Sequence, residues 1–100
     1  MKRDGIVINE MDNVGVALRD LQKGEKAVIG IGGEKRELLI ADFVPFGHKF
    51  AVRPLKKGEE VLKYGVVIGR TTCEVSAGAH AHIQNIESLR GRGDLKEKKR

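Results

Sequence analysis

The sequence predicts a single, mostly β domain with one short α-helix. Three observations support this fold class: apolar residues recur in short runs or at alternate positions, glycine turns separate those runs, and an apolar spacing typical of a helix occurs once. A chain of 100 residues has room for one modest core, and its content of 40% hydrophobic and 33% charged residues is typical of a globular domain. We therefore expect one compact β unit.

The predicted elements follow in chain order. Asp12 or Asn13 is suited to cap a helix that ends at Gly24. Its apolar stripe has the spacing i, i+3, i+4 and i+7, in Val14, Ala17, Leu18 and Leu21. Strands are expected at residues 5–9, 26–31, 36–41, 50–53, 66–73 and 80–86. The pair Gly32-Gly33 predicts a tight hairpin, because glycine tolerates the positive φ that such turns need.

A short turn recurs three times in the sequence. Each copy has an apolar residue three positions before a glycine and precedes a strand-like run, in residues 21–25, 55–59 and 75–79. The apolar residue can anchor in the core while the glycine adopts a conformation that other residues avoid. The unequal spacing of the copies argues against a solenoid and favours a folded-over β unit.

The net charge of +5 is concentrated at the carboxyl end. Residues 90–100 carry six basic and two acidic groups, whereas the other 89 residues carry 13 basic and 12 acidic groups. A nearly neutral body lacks the basic surface of nucleic-acid-binding proteins, so we expect no nucleic-acid partner. We expect a folded domain at residues 1–89 and a basic mobile tail or linker at residues 90–100.

The remaining composition bears on the compartment. One cysteine, Cys73, excludes an internal disulfide and is typical of a reducing compartment, so the expected location is the cytoplasm. No run approaches the roughly 20 apolar residues that span a bilayer, and the first residues lack the apolar stretch of a secretion signal. We therefore expect no membrane association.

Two of the three histidines lie one residue apart in the segment GAHAHIQN at residues 78–85. If residues 80–86 form a strand, His80, His82 and Gln84 face the same side. Two imidazoles at this spacing can bind one divalent ion, but the motif lacks the third ligand that makes a site specific. Solvent-facing histidines on an edge strand are the alternative, and the pattern leaves both open.

A second candidate site is the glycine turn Gly47-His48-Lys49. Histidine is the residue type that changes its charge near neutral pH and lysine acts as a point charge, so His48 and Lys49 together could orient a carboxylate or polarise a hydroxyl. A solvated loop tip is the alternative interpretation, because loops are ordinarily polar. A β unit of this size has too little depth for a closed pocket, so any catalysis would be shared with another polypeptide.

Several segments together resemble the small amino-terminal domain of altronate and galactarate dehydratases, a member of the SAF group of β-clip folds. They are DNVGVAL at residues 12–18, GHKFA at 47–51, GEEVLKYG at 58–65, IG at 68–69 and H-x-H-x-x-N at 80–85. The segment ESLRGRGD at residues 87–94 resembles the junction at which that small domain meets the large catalytic region. The resemblance implies a compact β-clip, SAF-like fold.

The resemblance also implies a function. The chain would be the small subunit of a lyase that removes water from a sugar acid such as D-altronate, and it would form part of the active-site wall of a separate large catalytic subunit. A divalent metal, iron(II) in this expectation, would be held mainly by that partner, and a homo-oligomer is compatible with the family. Motif matching assigns catalysis to His48 and Lys49, metal binding to His80 and His82, and substrate contact to His80, Gln84 and Asn85.

Two positions depart from the family pattern Gly-Glu-His-Val-His-x-His-Asn. Ala79 replaces the glutamate and Gln84 replaces the third histidine. Glutamine can hydrogen-bond a hydroxyl but is a poor ligand for a transition metal. Two alternatives therefore stay open: the small subunit of a sulfolactate sulfo-lyase, which eliminates sulfite, and a stand-alone, non-catalytic β-clip module that binds a carbohydrate or a protein.

Overall fold

The computed structural model describes residues 3–88, so the predicted tail at residues 90–100 lies outside the described residues. The described residues form nine strands: β1 (Gly5–Val7), β2 (Val14–Ala17), β3 (Lys26–Ile31), β4 (Glu34–Leu39), β5 (Lys49–Ala51), β6 (Glu60–Lys63), β7 (Val66–Thr71), β8 (His80–Ala81) and β9 (Ile86–Ser88). The predicted mostly β fold class is confirmed.

The strands form two sheets. The larger has the order β4-β3-β1-β2-β5-β8, and the smaller has the order β6-β7-β9. Neighbours are antiparallel except β1 and β3. The predicted hairpin at Gly32-Gly33 joins β3 to β4, and Gly32 has a φ of 59°. A second hairpin, between β6 and β7, turns at Tyr64 and Gly65, which both have positive φ.

The predicted short α-helix is wrong. Residues 14–17 form strand β2, which pairs with β1 on one side and with β5 on the other. The β-branched Val14 and Val16 and the intervening Gly15 all disfavour a helix, and the two neighbouring strands satisfy the backbone of β2. Leu21, the last residue of the supposed helical stripe, belongs to the turn that follows. No helix is present within residues 3–88.

The recurring turn is confirmed, and the structure contains a fourth copy. The four turns span residues 21–24, 44–47, 55–58 and 75–78. Their buried apolar anchors pair by isolated backbone bridges, Leu21 with Val44 and Leu55 with Val75. The glycines at the ends of the turns have φ between 80° and 91°, and each donates its N–H to a backbone carbonyl of residue 40, 17, 71 or 51. The second turn keeps the same spacing, with Val44 three positions before Gly47, and has Pro45 and Phe46 between them.

Two buried apolar clusters hold the domain together, and Phe50 lies in one of them. Its ring is fully buried, and it fits because β1 and β2 present glycines to it. A methyl group at Gly15 would lie 2.7 Å from the ring, and one at Gly5 would lie 2.8 Å from it. The other cluster contains Val14, Ala51, Leu55, Val61, Val75, Ala79 and Ala81, and thus lies beneath β5 and β8.

Asp12 and Asn13 join the two sheets instead of capping a helix. The buried Asp12 carboxylate accepts hydrogen bonds from the backbone N–H groups of Tyr64 and Gly65, both at 2.8 Å, and of Asn9 at 3.2 Å. The Asn13 amide accepts from the N–H of Leu62 and donates to a carbonyl of β6, both at 2.8 Å. These two side chains fix the β6–β7 hairpin against the larger sheet.

Asp12→Asn should lower the free energy of unfolding by about 1–3 kcal/mol, because a carboxylate that accepts three N–H bonds is replaced by an amide that accepts fewer. Urea unfolding measures the change. Glu34→Gln, on exposed strand β4, makes the same charge change and should alter stability by less than about 0.5 kcal/mol. Equal costs for the two variants would contradict the structural role of Asp12.

Candidate functional site

The second and fourth turns bring the three histidines together. His48 directly follows Gly47, and His80 begins β8 just after Gly78. Strands β5 and β8 are antiparallel neighbours, with Phe50 opposite His80. This pairing places His80 and His82 beside His48, although 32 residues separate His48 from His80 in the chain.

The three imidazoles form a stacked group, here called the imidazole cluster (His48, His80 and His82). The ring centroids of His48 and His82 lie 4.6 Å apart, those of His48 and His80 lie 5.1 Å apart, and those of His80 and His82 lie 5.4 Å apart. The planes of the rings differ by 10° to 26°. The sequence indicates two separate candidate sites, one at His48 and one at His80 and His82, and the structure places all three rings in one cluster.

The hydrogen bonds of the cluster define the neutral form of His80. The Gln84 side-chain amide donates to Nδ1 of His80 over 3.2 Å, so that nitrogen carries no proton. The proton of neutral His80 is therefore on Nε2, which lies 2.9 Å from Nδ1 of His48 and donates to it. His48 in turn carries its proton on Nε2. Gln84 thus selects the tautomers of two histidines.

Burial lowers the pKa of His80 below its ordinary value, and the neighbouring imidazoles of His48 and His82 lower it further. The Asp42 carboxylate opposes this effect weakly and accepts a hydrogen bond from the backbone N–H of His80 at 3.2 Å. A neutral His80 agrees with its acceptance of a hydrogen bond from Gln84. The cluster is therefore built around an uncharged ring.

This lowered pKa predicts a pH dependence of stability. Below an unfolded-state pKa of about 6.5, the unfolded chain binds more protons at His80 than the folded chain does. Stability should therefore rise as the pH increases toward about 6.5 and should be fully developed above it. Urea midpoints at about pH 5 and about pH 8 should differ more in the wild type than in His80→Gln. An identical difference in both proteins would contradict the assignment.

Asn85 orients the segment that carries the histidines. Its side chain accepts a hydrogen bond from the N–H of His82 at 2.9 Å and donates to the carbonyl of His80 at 2.8 Å. The expected strand at residues 80–86 is shorter than predicted: β8 ends at Ala81, and a turn leads to β9. The Asn85 amide closes that turn. Substrate contact by Asn85 and Gln84 stays a prediction.

An open groove of about 380 Å³ adjoins the imidazole cluster. His82 lines it, so one ring of the cluster faces the groove. Its other polar lining groups are Lys49, Lys63 and Ser88, and its remaining walls are Tyr64, Ile68, Ala81, Ile83 and Ile86. Ile83 is 84% exposed and Tyr64 is 55% exposed. The groove therefore combines exposed apolar side chains with two lysines and an imidazole.

Lys49 is a second predicted site residue whose pKa the structure lowers. Burial lowers its pKa, and the nearby ammonium of Lys63 lowers it further. Lys63 lies at the end of β6, with its Nζ 4.7 Å from the centre of the Tyr64 ring. Two ammonium groups thus meet at a groove that also exposes an imidazole.

Lys63 lines the groove beside the predicted site residues, and the sequence did not single it out. The sequence Lys63-Tyr64-Gly65 suggested only a turn beside the core, because nothing local connects it to the histidines. A usable signal is the alternation in β6, where Val61 is buried and Lys63 is two residues further along. Placing Lys63 beside Lys49 requires the contact between the two sheets, which the sequence does not display.

The cluster does not fit a metal held by this chain alone. Both ring nitrogens of His80 are engaged in hydrogen bonds, one with Gln84 and one with His48. Within the part of the chain that the structure describes, no three His, Cys, Asp or Glu side chains are arranged to hold a metal ion. The assignment of His80 and His82 as metal ligands stays a prediction that needs further ligands from elsewhere.

Comparison with known proteins identifies similar sequences. The family described as the altronate/galactarate dehydratase SAF domain matches residues 3–89. Altronate dehydratase from Bacillus subtilis (strain 168) is 37% identical over 84 residues, which cover 83% of this chain and 16% of that enzyme. Altronate dehydratase from Escherichia coli (strain K12) is 38% identical over 80 residues, which cover 80% of this chain and 15% of that enzyme.

A third relative differs in length. The (2R)-sulfolactate sulfo-lyase subunit alpha from Chromohalobacter salexigens is 33% identical over 93 residues, which cover 90% of this chain and 99% of that subunit. This chain therefore spans about a sixth of the altronate dehydratases but matches nearly the whole of the sulfo-lyase subunit.

Residues 3–88 include no helix that is long and apolar enough to cross a membrane.

Proposed function

The chain belongs to the altronate/galactarate dehydratase SAF domain family, and from this premise we propose that it is the small subunit of a sugar-acid dehydratase. In this proposal it forms one wall of an active site that a separate large catalytic subunit completes. The altronate dehydratases support the reaction class, and the match to a complete alpha subunit supports the arrangement in two polypeptides.

One observation carries the proposal: the imidazole cluster opens onto a groove that combines two lysines with exposed apolar side chains. A sugar acid offers a carboxylate to the lysines and hydroxyl groups to the imidazoles. The groove is open, so a substrate in it would stay in contact with water until another polypeptide covered Tyr64 and Ile83. A wall of an active site has these properties, and a complete active site does not.

The dehydration needs two groups that move protons. The carbon next to the carboxylate loses a proton, a neighbouring carbon loses hydroxide, and the resulting enol rearranges to a 2-keto-3-deoxy acid. We assign one of these proton transfers to His82, which faces the groove and whose ring nitrogens form no hydrogen bond with any residue from 3 to 88. His48 and Lys49 flank it, consistent with their expected catalytic role.

The divalent metal, iron(II) in the expectation from the resemblance, belongs in this proposal to the large subunit. Both ring nitrogens of His80 already form hydrogen bonds, so neither is available to bind the metal. The role of His80 in the proposal is to hold the stacked rings of His48 and His82 in position. No proton transfer assigned here to the small subunit depends on the metal.

A second candidate is the small subunit of a sulfolactate sulfo-lyase. The relative with this function is a separate chain of nearly the same length, unlike the long altronate dehydratases. Elimination of sulfite makes the same demand for proton abstraction beside a carboxylate. The two candidates therefore differ in the leaving group, and the groove is compatible with both.

Reconstitution tests the proposal. The chain is coexpressed with a candidate large dehydratase subunit from the same genome, and the purified pair is assayed for 2-keto acid formation from altronate and galactarate and for sulfite release from sulfolactate. We expect water elimination by the pair and none by either chain alone. Full activity of the large subunit without this chain would refute the proposal, as would ligand binding by this chain in a cell without any large subunit.

A further inference from the structure

We propose that Lys49 and Lys63 form an anion-binding site in the groove that selects hydroxy acids carrying two negative charges over those carrying one. The inference deepens the proposed function and rests on it for the identity of the ligand as a substrate. Dicarboxylic sugar acids and sulfonated hydroxy acids share this chemistry, whereas altronate carries a single charge. Lys63 is the residue that makes the difference.

The two lysines come from different sheets and meet at one place. Lys49 begins β5 of the larger sheet, and Lys63 ends β6 of the smaller sheet. Both line the groove. They are close enough for the charge of Lys63 to lower the pKa of Lys49, which burial lowers as well. The fold therefore holds two positive charges close together at a partly buried site.

No ion pair in the described range 3–88 involves either lysine. By contrast, Arg19 pairs with Asp4 and Glu25, and Arg53 pairs with Glu59, at distances of 2.6 to 3.0 Å. Two partly buried cations without a counter-charge are costly, and a bound anion would remove that cost. A dianion matches both ammonium groups, whereas a monoanion leaves one of them uncompensated.

The surroundings limit how the ligand lies. Lys63 is held over the face of the Tyr64 ring, so its ammonium is positioned rather than free to extend into water. His82 lines the same groove. A ligand whose acid group lies between the lysines therefore shares the groove with His82. The geometry connects the anion site to the proton-transfer residue named above.

Binding to the full chain tests the inference. Calorimetric titrations compare galactarate and sulfolactate, which carry two charges, with gluconate, which carries one, and galactitol, which is neutral. Lys63→Gln should weaken the binding of both dianions about 10-fold or more and change gluconate binding by less than about 3-fold. The control Lys57→Gln, on the exposed third turn, makes the same charge change and should affect neither. Comparing the affinities for galactarate and sulfolactate shows whether the site prefers a carboxylate or a sulfonate as the second acid group.

Equal weakening of gluconate and the dianions by Lys63→Gln, or the same weakening by Lys57→Gln, would overturn the inference. If Lys63→Gln does not fold, Lys63→Met keeps the aliphatic stem and gives the same comparison. The inference and the proposed function fail separately. If the reconstituted pair is active and Lys63→Gln does not change its KM for galactarate, the anion site is refuted and the dehydratase proposal stands. If dianion binding depends on Lys63 but the pair catalyses no elimination, the dehydratase proposal is refuted and the anion site stands.

Discussion

Gly78→Ala should lower the free energy of unfolding by about 4 kcal/mol or more, a large fraction of the total stability of a typical domain. A Cβ at this position would lie 2.0 Å from the carbonyl oxygen of Leu39 and 3.2 Å from the nitrogen of Ala41. Both are backbone atoms, so a side-chain rotation cannot relieve the clash. Gly78 also has a φ of 80°, which a residue with a side chain rarely adopts.

The chain contains a matched control for this variant. Gly58 occupies the equivalent place in the third turn with a φ of 83°, but a Cβ there would meet nothing within 4 Å. Gly58→Ala should therefore cost only the backbone strain, about 1–2 kcal/mol. Urea unfolding of both variants separates conformational strain from the clash. Similar losses of stability would show that the close approach of Leu39 to Gly78 is not what requires glycine.

His82→Ala should reduce kcat of the reconstituted pair by about 10²- to 10⁴-fold while the chain stays folded. His82 faces the groove at the surface and is the cluster member with free ring nitrogens among the described residues, so its removal eliminates a proton carrier without opening a cavity in the core. Steady-state kinetics give the activity, and urea midpoints report the stability of the variant chain.

Lys57→Ala is the control for that experiment, because Lys57 is an exposed residue of the third turn and should leave kcat unchanged. A His82→Ala chain that unfolds would assign His82 a structural role. A folded variant with unchanged turnover would show that the proton is moved by another group, and the assignment of His82 would then be wrong.

The candidate site shows how far reasoning from the sequence extends. His48, Lys49, His80, His82 and Gln84 were all nominated by residue type, spacing and resemblance, and the structure brings them to one surface. Residue type and spacing could not show that the imidazoles stack, or that Nε2 of His80 donates a hydrogen bond to Nδ1 of His48. Those features depend on the antiparallel pairing of β5 and β8.

The helix error has the same origin. Val14, Ala17, Leu18 and Leu21 have helical spacing, but β2 forms because strands from distant parts of the chain satisfy both of its edges. Local periodicity reports which residues prefer to be buried, and it does not report the partners that bury them. The second copy of the turn has the same spacing as the others and is predictable from it; only the bridge between Val44 and Leu21 requires the folded chain.

By itself the sequence determined the β class, the Gly32-Gly33 hairpin, the recurring turn and the identity of most candidate site residues, because glycine, alternation and residue chemistry act locally. Only the tertiary structure decided that Lys63 stands beside Lys49, that Gln84 sets the tautomers of His80 and His48, and that Asp12 fastens one sheet to the other. These are contacts between segments that lie far apart along the chain or meet across a turn. Their energies depend on distances that no local pattern encodes.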